Sequence, residues 1–497
     1  MNNNPYQTLE NKYKEISLLY EAMGILSWDR STFMPNRSID GRTDQLTNLY
    51  VLSHNMLKKK DFSKFIKKSE KMKNLNKWQS KNINLIKKEY LLNNILDEDL
   101  LKRISIATSD CEMEWRNAKQ KKSFKAIIPK FKKVVKLRRI ESEIKSNSLK
   151  CSPYDALLND YESGLKSKQI DVIFDNLTTF LPEFLKEVLI FQSKNKKIVK
   201  IKDEIDHELQ KKLGQNLMEK IGFDFSLGRL DVSLHPFCGG AYQDARITTR
   251  YNKNNFIESL MGVLHETGHA MYNLGLPKKW KYQPVGDSLG TVVHESQSLF
   301  MEMQICRSLE FLKFASPIIK KVFKKKGGKW NYKNLYKIYT YVQPSFIRVD
   351  ADEVTYPLHV ILRYKIEKEL IEGNIKVEEI PKIWNSYMKK YLNIIPKHDS
   401  EGCLQDIHWF DGTFGYFPTY TLGALYAAQL SFVAKKEISD FELLIENGRF
   451  NKIIDWLGNK IHSNGSLYNS NELINKVSGE DLNIDYFKKH LINRYLN

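Results

Sequence analysis

Proline and glycine interrupt regular structure more than any other residues, and this chain of 497 contains only 14 and 24 of them. Such scarcity argues against all-β architectures and for long helices joined by short loops. The apolar spacing agrees. Residues 6–28 and 42–60 repeat at helical intervals on either side of a turn region, Asp29–Asp40, that holds Met34-Pro35. The Lys/Glu-rich stretch 66–150 continues the pattern with Ile83, Ile86 and Tyr90, and 154–193 extends it, with a break expected at Pro182. Texture changes at 229–251, where short extended segments surround a Gly239-Gly240 turn, the best β-hairpin candidate in the chain. Helices resume over 255–273, 289–312, 334–343, 353–372 and 422–436. The expected fold class is therefore mainly α, with a small β-sheet near the middle.

Composition narrows the setting. Hydrophobic residues at 42% and charged residues at 28% suit a globular protein with a buried core. The cysteines, Cys111, Cys151, Cys238, Cys306 and Cys403, are odd in number, scattered and free of any C-x-x-C pair, so a reducing cytosol is the expected home. The start carries no basic-then-apolar pattern of a signal peptide, and no run of ~18 apolar residues suggests a membrane span. A net charge of +19 raises the question of nucleic acid. The basic clusters (Lys58–Lys60; Lys194, Lys196, Lys197 and Lys200; Lys324–Lys326) are dispersed, however, and no nucleic-acid-binding module accompanies them. A solvated Lys-rich surface is the simpler reading.

The chemistry concentrates at His265-Glu266-Thr267-Gly268-His269. Asn255 can cap the helix that carries it, with Glu258 placed as in a capping box, and Gly275 and Pro277 close it. On a helix, positions i and i+4 lie one above the other, so His265 and His269 can both reach one zinc ion at roughly 2.0–2.1 Å. Glu266 then stands where a general base is needed. The sequence after His269 has no third histidine at metzincin spacing, so a carboxylate from a following helix is expected. Asp287-Ser288 can begin that helix and Glu295, 26 residues after His269, is the first choice on it; Glu302 is the fallback. No acid stands four residues after Glu295, which leaves the group that orients the histidines unassigned. Cys238 and Cys403 are read as buried small side chains rather than ligands.

Other stretches, in order, resemble the carboxypeptidase Taq family of metallopeptidases: His235-Pro236-Phe237, Asp244-Ala245-Arg246-Ile247-Thr248, the HETGH segment, His294-Glu295-Ser296-Gln297, Ile347–Asp352 and Gly402–Trp409. Leu26-Ser27-Trp28-Asp29 with Met34-Pro35 resembles the family's opening, so the likeness runs from about residue 20 to 430. It implies a helical fold with a deep active-site cleft, removal of single residues from peptide C-termini with broad preference, a homodimer, and one zinc or cobalt ion per chain. The expected organisation is one catalytic domain over 1–497, with 1–200 as a helical lid or wall and 229–436 as the metal- and substrate-binding region. A free carboxylate calls for a guanidinium, for which Arg348 is the first choice and Arg246 the second; the alternative for each is an ion pair with Asp350 or Asp244. Tyr420, on a flexible aromatic loop, is the expected oxyanion donor, with His235 and His408 as rivals. His359 is read as packing. An oligopeptidase with the same metal site is the first alternative function, and a basic nucleic-acid-binding protein with a degenerate metal site is a remote second.

Overall fold

The computed structural model describes residues 4–195 and 197–497, so Lys196 of the second basic cluster lies outside the described residues. Twenty α-helices and one three-stranded sheet make up the regular structure among those residues. The helix Pro5–Ser31 shows why so many form. Asn4 accepts from the Tyr6 amide, Pro5 fills the first turn, and Tyr6, Leu9, Tyr13 and Ile16 bury one stripe. That stripe joins Leu57, Phe62, Ile83, Ile86, Trp280 and Val285 in a hydrophobic cluster, where Trp280 stacks on Trp78 at 5.5 Å. No helix among the described residues is long and apolar enough to cross a membrane.

The chain forms two compact units, each assembled from three separate stretches. The first comprises residues 1–93, 198–339 and 423–486; the second comprises 94–197, 340–422 and 487–497. In the second unit the expected break at Pro182 does not occur. The helix runs unbroken over Ser167–Asn195, because Leu177, Leu181, Phe184, Leu185 and Val188 are buried on both sides of the proline. Packing of that stripe outweighs the one amide that proline removes.

The sheet belongs to the first unit and has the order β1 (Gly228–Val232), β3 (Asp244–Thr249), β2 (Phe237–Ala241). β1 runs parallel to β3, and β2 pairs with β3 as the expected antiparallel hairpin. Its turn, however, is Tyr242-Gln243, with Gln243 at φ +57°, whereas Gly239 and Gly240 lie inside β2. The glycines serve close approach instead. A Cβ on Gly240 would sit 1.9 Å from the Asp244 carbonyl oxygen, and a Cβ on Gly24 would sit 2.8 Å from the Gly240 carbonyl oxygen.

Candidate metal centre

The HETGH helix spans Phe256–Leu274, and nearly all of its middle is buried. Asn255 Oδ1 accepts from the Glu258 amide at 3.5 Å, but Glu258 reaches the Asn255 side-chain amide (3.0 Å) and not its backbone, so only half of the expected capping box is made. Gly268 brings in the next helix. A Cβ there would lie 2.6 Å from the Gln297 carbonyl oxygen and 2.7 Å from Ser298 Cα, so the two backbones touch. That next helix starts at Gly290, slightly later than Asp287-Ser288 suggests, and the Leu289 amide is fixed by the Tyr272 hydroxyl at 2.9 Å. The expected helix over 289–312 is in fact three pieces: Gly290–Leu299, a π-helical stretch Phe300–Cys306, and Leu309–Val322 capped by Ser308.

These elements bring His265, His269 and Glu295 together, with one ligand atom of each within 4.8 Å of the others. Glu295 Oε2 lies 3.5 Å from His269 Nε2 and 4.0 Å from His265 Nε2. Ligand atoms held at roughly 2.0–2.1 Å from a tetrahedral zinc are about 3.3 Å apart, so the donor set fits such an ion with small adjustment. Charge agrees with geometry. Three carboxylates, Glu266, Glu295 and Glu302, surround the pair of imidazoles. Burial alone would push His265 down, yet Glu302, Glu295 and Glu266 raise it to about 10, which marks a place suited to a cation.

Glu302, the fallback ligand, stands behind His265 rather than among the ligand atoms. Its Oε2 is 2.9 Å from His265 Nδ1, and Arg307 Nη2 donates to its other oxygen at 2.7 Å. This contact supplies the orienting group that sequence reasoning left open, and it leaves His265 Nε2 to face the cluster. The seven-residue spacing from Glu295 was the available signal. His269 is held differently. Its Nδ1 is buried with no hydrogen-bond partner among the described residues, while His294 stacks on the ring at 4.3 Å and touches Asn273 Oδ1 at 3.2 Å. Burial first, then His269 and His265, keeps His294 neutral. A further unforeseen contributor is Gly423, where a Cβ would meet Glu295 Cβ and Cγ at 2.8 Å. Cys238 lies 3.9 Å from Asn273 Nδ2, and burial raises its thiol, so it offers no thiolate. Glu302→Gln should weaken metal binding by about 10- to 100-fold, read by chelator competition; unchanged affinity would deny the carboxylate that part.

The remaining candidates divide between the units. In the first, Arg246 is paired with Asp244, the expected alternative, with Nη2 at 2.7 Å from Oδ2, and it lies over Trp28 at 4.3 Å. His235 is exposed, and its carbonyl accepts from Ser233 Oγ at 2.6 Å. In the second, Arg348 is buried and its ion partner is Asp406, not Asp350: Nη2 donates to Oδ1 at 2.9 Å and Nη1 donates to the Tyr356 hydroxyl at 2.7 Å. Arg363 Nε donates to the same Asp406 at 2.7 Å, so two guanidinium groups share one carboxylate. The Tyr420 ring lies 5.2 Å from the Arg348 guanidinium, on the first turn of the helix Pro418–Glu437 and not on a flexible loop. His408 packs on Phe417 at 4.7 Å and is pushed down to about 4, by burial first, so it is neutral. His359 is fully buried, consistent with packing.

Comparison with known proteins gives a consistent result. The model of the carboxypeptidase Taq (M32) metallopeptidases matches residues 8–495. The chain is 34% identical to thermostable carboxypeptidase 1 of Pyrococcus furiosus over 487 residues, covering 98% of this chain and 97% of that one. It is also 34% identical to carboxypeptidase 1 of Bacillus subtilis, with 97% and 96% covered. The solved structure of Trypanosoma cruzi metallocarboxypeptidase 1 superposes with a TM-score of 0.97 at 37% identity, with 99% of each chain covered.

Proposed function

Because the chain belongs to the carboxypeptidase Taq (M32) family and is a metal-dependent carboxypeptidase acting on peptides, we propose that His265, His269 and Glu295 hold its ion, a single zinc that cobalt can replace. The observation that carries this assignment is the convergence of those three ligand atoms in one acid-rich, buried cluster. When bound, the ion supplies Lewis acidity at the scissile carbonyl and acidifies water.

The protein's own groups do the rest. Glu266, one residue after the first ligand, takes the proton of the attacking water and delivers it to the leaving amine. Arg348 anchors the terminal carboxylate, with Arg246 as the second choice. The Asp406 carboxylate offsets only one of the two guanidinium charges it touches, so the Arg348–Arg363 pair keeps a net positive charge for an anion. Tyr420 donates to the developing oxyanion, with His408 and His235 as rivals. The enzyme releases single residues with broad preference, as a cytoplasmic homodimer; five cysteines without disulfides accord with that compartment.

A peptide and its C-terminally amidated twin test the carboxylate anchor. The free acid should shorten one residue at a time while the amide resists. Equal cleavage of both would favour an oligopeptidase with the same metal site.

A further inference from the structure

A cavity of about 440 Å³ opens in the first unit at the C-terminal end of the HETGH helix, with Asn273 and Leu274 in its wall. Asn273 follows His269 by one turn, or about 6 Å along the axis. Asp287 and Ser288, just before the helix that carries Glu295, also line it. The space therefore adjoins the metal cluster through both ligand-bearing helices, and its volume suits a side chain or a peptide end.

Three features of the lining favour a positive charge. Tyr13, Tyr20, Tyr242 and Tyr282 line it with aromatic surface. The protein's own ammonium groups already use two of these rings: Lys281 Nζ lies 5.5 Å from the Tyr242 ring and 5.4 Å from that of Tyr282, and Lys14 Nζ lies 5.6 Å from Tyr282. The end of the HETGH helix adds the negative pole of its dipole. Carboxylates complete the set. Glu89, close behind, is satisfied by the hydroxyls of Tyr13 and Tyr20. Glu21 Oε1 accepts from the Tyr242 amide at 3.0 Å. Asp287 lines the same cavity and its side chain is exposed to it. Desolvation within the cavity, then the charges of Glu89 and Glu21, shifts its carboxyl upward, and a cation placed here would relieve the repulsion among the three acids.

We propose that this cavity is a substrate subsite in which Asp287 and Glu21, walled by the tyrosines, hold an ammonium group of the peptide. The group is either the N-terminal amine of a short peptide or the side chain of a lysine. The assignment rests on the peptidase reading above.

The test uses short peptides carrying lysine or norleucine at successive positions, each with a free or an acetylated N-terminus. Wild type, Asp287→Asn and Glu21→Gln are compared by kcat/KM. Binding of the same peptides to the metal-loaded Glu266→Gln protein, with and without Asp287→Asn, is measured by calorimetry. One lysine position, or the free amine, should gain about tenfold in kcat/KM and in affinity over its neutral counterpart. Asp287→Asn should collapse that ratio to below about twofold, and Glu21→Gln should reduce it. Loss of preference on acetylation identifies the amine as the ligand; loss with norleucine identifies the side chain. Equal handling of charged and neutral peptides by the wild type overturns the subsite, as does a preference that survives both substitutions. If no peptide is shortened at all, the carboxypeptidase reading fails, and the binding ratio still decides the subsite. Should Asp287→Asn fail to fold, the wild-type ratio and Glu21→Gln decide it.

Discussion

Glu266→Gln should retain its metal and lose about 10³-fold in kcat, within the range of roughly 10² to 10⁴ that a positioned proton acceptor supplies. That loss corresponds to about 4 kcal/mol of barrier. The substitution preserves size, and Glu266 makes no ligand contact in the cluster formed by His265, His269 and Glu295. The side chain is buried, so the amide has no easy replacement by bulk water as an acceptor. Elemental analysis should therefore give the same metal content as wild type, with KM little changed and turnover nearly gone. A variant that kept both metal and activity would remove Glu266 from the mechanism. A variant that lost its metal would instead make it part of the binding site.

What the sequence disclosed, and what it hid, follows from the range of each interaction. The HETGH segment was legible because its two histidines depend on a spacing of four along one helix, and Glu295 because its helix is the next α-helix in the chain, reached through residues 275–289 with two 3-10 turns. Glu302 is visible as an acid two turns after Glu295, but its task is not, since its partner is Nδ1 of His265, 37 residues earlier in the chain. The Arg348 ion pair shows the limit more clearly. Asp350 is the near neighbour in sequence, yet the partner is Asp406, 58 residues on, inside a stretch singled out for other residues. Gly240 reads as turn chemistry in the sequence, yet it lies inside β2, where a Cβ would strike the Asp244 carbonyl of the paired strand, a demand that only the partner reveals. The two units left no trace of a linker for a physical reason. Each is built from three separate stretches, so the chain passes between them repeatedly, and no single boundary needs a change of composition.

Asp406→Ala should cost about 3–5 kcal/mol of stability, because it strands two buried guanidinium groups that share this one carboxylate. Arg348 and Arg363 are both buried, Arg363 completely, and neither can move to water without disrupting its packing on Phe417 or Trp384. Burial would raise the Asp406 carboxyl, but Arg363 and then Arg348 hold it far below the usual carboxylate range. The sign of the pH dependence follows. A depressed pKa contributes stability in full above the unfolded value of about 3.9 and loses it as pH falls through the folded value. The gap between wild type and Asp406→Ala in denaturant midpoint should thus be constant from about pH 5 to 8 and narrow only below about 4. Asp406→Asn keeps the shape and an acceptor oxygen, so it should still lose most of the same stability if charge is the cause. Pairing Asp406→Ala with Arg363→Met removes one stranded charge and should recover part of the loss. Equal stability of Asp406→Ala and wild type would mean that the guanidinium groups find other partners, and with it the net positive charge argued for Arg348 would lose its structural basis.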